Sequence, residues 1–168
     1  WHRPGGFRHY RWPMITELCA SSYTTLYPNG SVHFGVCGKA GDWKHAEYPA
    51  MRALAKQHGV RWTFNLGVAG MTTPKLATFL NDSAVRARAV SGLVGVLQQE
   101  SADGYMLDFE GTYEWSATLA PQLVGWFEEL RAGLRAAGLR SATLSLPQGM
   151  CERNDITESR IWFSSGSQ

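Results

Sequence analysis

Nowhere in this sequence does an apolar run reach the length that a helix needs to cross a bilayer, about 20 residues, so no helical membrane span is expected within it. Charge of one sign is also lacking. Sixteen Lys and Arg stand against 14 Asp and Glu, the net charge is +2, and the charges are scattered. A nucleic-acid partner needs a basic stripe or patch, and none is present. Cysteine is scarce, and Cys19, Cys37 and Cys151 make an odd count. Their spacing fits no zinc site, and it leaves open either one disulfide with a thiol left over or no disulfide at all. No secretory leader is visible, and the first residue is Trp1 rather than Met, which reads as a processed or truncated N-terminus.

What the sequence does have is the composition of a globular domain. Its 168 residues are 44% hydrophobic and 18% charged, which suits one domain with a sizeable core. Trp is abundant, at seven residues. Most of these are expected to fill the core; others can line a carbohydrate cleft, because sugars present apolar C–H faces to indole rings. Asn29-Gly30-Ser31 and Asn81-Asp82-Ser83 are acceptor tripeptides for N-glycosylation. Together with a cysteine pair they lean towards a secreted or luminal, including lysosomal, location.

Residues 1–20 read as an irregular arm, and residues 21–168 as one folded unit. A strand is expected over 21–27, ended by the turn signal Pro28-Asn29-Gly30, and a second over 31–37. A helix follows over about 45–58, with Gly59 as its stop. Then come a strand over 60–66 and a glycine-rich exit. Asn81 or Asp82 can cap a helix running to about Glu100. Residues 105–109 read as a buried strand. A helix follows with Pro121 in its first turn and Gly138 at its end, then strands over 142–146 and 161–163. Strands alternating with helices of roughly 12 to 20 residues give parallel βα units, with the sheet buried on both faces. His33, His45 and His58 have no metal-ligand spacing, and the acidity around Asp42 and Glu47 fits a helix start.

The sharpest feature is Asp103-Gly104-Tyr105-Met106-Leu107-Asp108-Phe109-Glu110. On an extended strand, Asp108 and Glu110 point to the same side. Two like charges so placed push one carboxyl towards its protonated form, which is what a general acid needs. At the C-terminal end of a parallel βα strand, such groups stand where barrel enzymes build their active sites.

The pattern Asp-Gly-x-x-x-Asp-x-Glu after a long amphipathic helix resembles the signature strand of glycoside hydrolase family 18, most closely its di-N-acetylchitobiase branch. The resemblance covers about 31–163 and is specific over 103–110. It implies an α/β fold of the (β/α)8 TIM-barrel type, of which this chain holds the first four to five βα units. It implies hydrolysis of β-1,4-linked N-acetylglucosamine, in chito-oligosaccharides or in the chitobiose core of N-glycans. Glu110 would protonate the leaving oxygen. Asp108 would orient the substrate's 2-acetamido group, whose carbonyl attacks the anomeric carbon with net retention. Asp103 and Gly104 belong to the structural part of the motif. Tyr113, Trp115 and Asn65 are candidate substrate contacts. No cofactor or metal is implied.

Two departures stand out. Met106 occupies a position where the family usually has Asp or Asn to support the central aspartate, and Met cannot. The chain is also shorter than the roughly 250 residues of a full barrel, so a missing segment or another chain would have to complete it. The alternative reading is therefore a catalytically inactive, chitinase-like carbohydrate-binding or structural subunit of a larger assembly.

Overall fold

The computed structural model describes residues 5–36, 43–108 and 119–145. In chain order these form two 3-10 turns (Gly6–His9 and Trp12–Met14), then β1 (Glu17–Leu26), β2 (Val32–Val36), α1 (Trp43–Gln57), β3 (Arg61–Val68), α2 (Thr73–Asn81), α3 (Ser83–Glu100), β4 (Gly104–Asp108), α4 (Leu119–Ala136) and β5 (Thr143–Ser145). The expected strand over 161–163 lies outside the described residues.

The sheet has five strands in the order β2-β1-β3-β4-β5. β1, β3, β4 and β5 run parallel, in sequence order, with helices in the connections. This is the wall of a βα barrel. Among the described residues the wall does not close on itself, which is consistent with the partial barrel of α/β class that the resemblance implied.

The edge of the sheet departs from the parallel βα pattern. β2 runs antiparallel to β1, with Leu26 opposite Val32 and Ser22 opposite Val36. The cause is the short turn, since only an antiparallel partner can be reached without a crossover. Asn29 shapes that turn: its Oδ1 accepts from the Ser31 amide and from the Ser31 hydroxyl, while Gly30 takes a φ of 78°. β1 also begins at Glu17 rather than at residue 21, so part of the expected arm is strand. Two side chains from the rest of the arm join the core. Phe7 and Trp12 are buried, and Trp12 stacks on His58 with 5.7 Å between ring centroids.

α2 was not expected. Pro74 lies in its first turn, and Leu76, Phe79 and Leu80 are its buried face. α3 follows at once because Asp82 caps it, with Oδ1 accepting from the amides of Ala84 and Val85. Ala89, Leu93 and Leu97, one helical turn apart, are the face that α3 buries.

Alternation along the strands divides the sheet. Trp62, Phe64, Leu66, Tyr105 and Leu107 are buried on one side. The helices lie on that side: Tyr48 of α1 packs edge-on against Trp62, and the Tyr105 hydroxyl donates to the Leu93 carbonyl of α3 at 2.8 Å. Each such side chain contributes roughly 1.5–3 kcal/mol by leaving water. The other side carries Thr63, Asn65 and Gly67 on β3 and Gly104, Met106 and Asp108 on β4. Asn65, Met106 and Asp108 are only half-buried there. The expectation of a sheet buried on both faces therefore gives way to one helix-covered face and one polar, partly open face, as on the inside of an unclosed barrel.

Candidate functional site

The site is built upward from the foot of β4. Asp103 precedes the strand. Its amide donates to the Trp62 carbonyl, and its carboxylate accepts from the Trp62 amide at 2.8 Å. Its carbonyl accepts from the Thr143 amide and from the guanidinium of Arg61. One residue thus links the feet of β3, β4 and β5. Gly104 comes next with a φ of 150°, and a Cβ there would meet the Thr143 carbonyl oxygen.

This footing fixes the register above. Thr63 stands opposite Gly104, Asn65 opposite Met106, and Gly67 opposite Asp108. Asp108 is the last residue of β4, at its C-terminal end. The Asn65 Nδ2 donates to the Asp108 Oδ2 at 2.8 Å. Because Gly67 has no side chain, nothing on β3 stands directly opposite Asp108, and the amide reaches it diagonally. The Asn65 Oδ1 is buried and has no hydrogen-bond partner among the described residues.

Of the residues singled out from sequence, Asp103, Gly104, Met106, Asp108 and Asn65 are therefore gathered on β4 and the adjoining strand. Glu110, Tyr113 and Trp115 lie outside the described residues. The contact from Asn65 to Asp108 had no signal in the sequence, because it joins residues on separate strands through register alone.

Tyr105 lies on the opposite, helix-facing side of β4. Burial pushes its phenol well above the usual range, against the opposing pull of the Thr24 hydroxyl. It belongs to the core, and its ionisation is remote from the site. No group of three or more His, Cys, Asp or Glu is placed to hold a metal among the described residues. An open groove of about 720 Å³ between α3 and α4, lined by Val90, Gly95, Glu129 and Gly133 among others, takes none of its lining from the sheet.

No family model matches the chain, and no curated protein does. Solved structures do resemble it. A chitinase from Bacteroides thetaiotaomicron superposes with a TM-score of 0.59 at 19% identity, covering 83% of this chain and 40% of that one. An immunomodulatory active chitinase from Trichuris suis gives 0.61 at 17% identity, covering 83% and 37%. A class V chitinase from Nicotiana tobaccum, in complex with NAG4, gives 0.60 at 14% identity, covering 87% and 42%. The chain spans about two fifths of the length of these structures. At such identities the likeness is one of fold, and the fold that this chain shares is that of chitinases.

Proposed function

We propose that this chain is the N-terminal part of the sugar-cleaving barrel of a family 18-type glycosidase, acting on β-1,4-linked N-acetylglucosamine in chito-oligosaccharides or in the chitobiose core of N-glycans. The observation that carries the reading is the placement of Asp108. It ends a parallel barrel strand, faces away from the helices, accepts a hydrogen bond from Asn65, and stands two residues before Glu110 in the full motif. The likeness to chitinase barrels, one of them in complex with NAG4, supports the same substrate class.

In this reading Glu110 gives its proton to the glycosidic oxygen as that oxygen leaves. The substrate's acetamido carbonyl oxygen forms the new bond to the anomeric carbon, and Asp108 steadies the acetamide N–H as positive charge develops on it. A water, deprotonated by the Glu110 carboxylate, then opens the oxazolinium with retention. Tyr113 and Trp115 serve as platforms for sugar rings. The remaining strands come from a further segment or a second chain, and the protein works in a secreted or luminal compartment.

A second reading has one observation in its favour. Met106 leaves the strand without the polar neighbour expected beside Asp108, which suits a chitinase-like protein that binds sugar without cleaving it. The test is fluorophore release from chitobiose and chitotriose conjugates between about pH 4 and 7, where a carboxylic acid of raised pKa can act. Release that is lost in Glu110→Gln supports the hydrolase. Binding of chitotriose without release supports the binding protein. Neither release nor binding would defeat both readings.

A further inference from the structure

Two neighbours of Asp108 on the sheet offer its carboxylate no side-chain donor. Met106, two residues earlier, is on the same side, and a thioether donates no hydrogen bond. Gly67, opposite Asp108, has no side chain to offer. One polar contact comes from Asn65, diagonally across the strand pair. An ionised carboxylate only accepts hydrogen bonds, so the end of the amide that faces it is the NH2 group. That choice commits the other end. Oδ1 is left buried without a partner among the described residues, and a buried acceptor in that state calls for a donor, which a ligand can supply.

We infer that Asn65 is a positioning residue of this site and also one of its ligand contacts. Its N–H holds the Asp108 carboxylate in place, which Met106 cannot do. Its Oδ1 accepts from an amide N–H or a hydroxyl of the sugar that Asp108 engages. The pair thus offers two acceptors joined by one hydrogen bond, an arrangement suited to a ligand bearing an N-acetyl group. Since the amide does not titrate, the support it gives Asp108 is the same at every pH at which the carboxylate is ionised. The inference deepens the proposed function and rests on it for the identity of the ligand.

The test uses the full chain, with triacetylchitotriose as the probe. Its affinity is measured by calorimetry for the parent protein, Asn65→Ala, Asp108→Ala, and Asn65→Ala combined with Met106→Asn. Loss of a hydrogen bond to a charged group corresponds to about a 10- to 100-fold weakening, which is expected for Asn65→Ala. The added Met106→Asn, which puts an amide back beside Asp108, is expected to recover about 10-fold of that loss. A merely structural role for Asn65 would not be rescued from the neighbouring strand. Affinity unchanged in Asn65→Ala but lost in Asp108→Ala would overturn the inference, as would a loss that Met106→Asn leaves untouched.

A second readout needs no ligand. The side-chain NH2 resonances of Asn65, assigned by their absence in Asn65→Ala, are followed in Asp108→Ala. Movement supports the contact, and its absence overturns it. If the parent protein does not bind chitotriose while those resonances do move, the sugar reading fails and the positioning of Asp108 by Asn65 stands.

Discussion

Asp103 and Trp62 exchange two hydrogen bonds across the feet of β4 and β3: the Asp103 amide donates to the Trp62 carbonyl, and the Trp62 amide donates to the Asp103 carboxylate, each at 2.8 Å. The pair acts as a clamp on register. A slip of one residue would turn Asn65 and Asp108 to opposite faces. The first aspartate of the motif thus works on the site from its base, through the strand pairing. Asp103→Ala is expected to cost about 1–3 kcal/mol, because the Trp62 amide loses its acceptor. Asp103→Asn keeps an acceptor and should cost less. Urea denaturation of both variants checks the order, and equal losses would mean that the carboxylate acceptor is not what holds the strands.

Gly104 and Gly133 make a contrasting pair of glycines. At Gly104 the φ of 150° and the Thr143 carbonyl oxygen, which a Cβ would overlap, leave no room for a side chain against rigid backbone. Gly104→Ala is expected to cost about 3 kcal/mol or more, or to prevent β5 from docking. At Gly133 a Cβ would press on a methyl of Val90 at 2.5 Å, but alanine favours a helix interior by about 1 kcal/mol. The two effects oppose each other, so Gly133→Ala should stay within about 1 kcal/mol of the parent. Thermal unfolding of the two variants side by side distinguishes a backbone clash from a side-chain one.

Arg86 ties three helices together. Its Nε and Nη2 form a fork on the Glu129 carboxylate of α4, while Nη1 donates to the Leu80 carbonyl in α2. A lysine keeps the charge but cannot make the fork. Arg86→Lys is expected to lose about 0.5–1 kcal/mol, with the difference from the parent shrinking in high salt. A loss independent of salt would place the effect in packing of the side-chain stem.

Much of this was legible in advance because it is local. Asp82 before an amphipathic run marks the start of α3, Pro121 the first turn of α4, and apolar runs the strands β3 and β4. α2 was missed because it is short and follows a glycine-rich stretch, although Pro74 with Leu76, Phe79 and Leu80 is a compact helix signal. The antiparallel pairing of β2 fits the turn signal Pro28-Asn29-Gly30 between the two expected strands. Burial of Phe7 and Trp12, and the reach of Asn65 to Asp108, are tertiary. Each depends on elements distant in sequence, and no local pattern encodes it.

Tyr105 supplies a pH test of the core. Its phenol is buried against α3, donates to the Leu93 carbonyl at 2.8 Å, and titrates well above its ordinary range because burial disfavours the phenolate. In the unfolded chain the same group ionises near pH 10. The folded pKa is therefore raised, and the stability associated with the neutral phenol is fully present below about pH 10. Above that value the unfolded state binds fewer protons than the folded one, and stability falls as pH rises. Tyr105→Phe is expected to cost about 1 kcal/mol at neutral pH through the lost hydrogen bond, and to flatten the fall in stability between about pH 10 and 11. Denaturation midpoints across that range, with phenolate absorbance read in parallel, check both parts. Parallel curves for the parent and Tyr105→Phe would show that the alkaline loss arises from other groups.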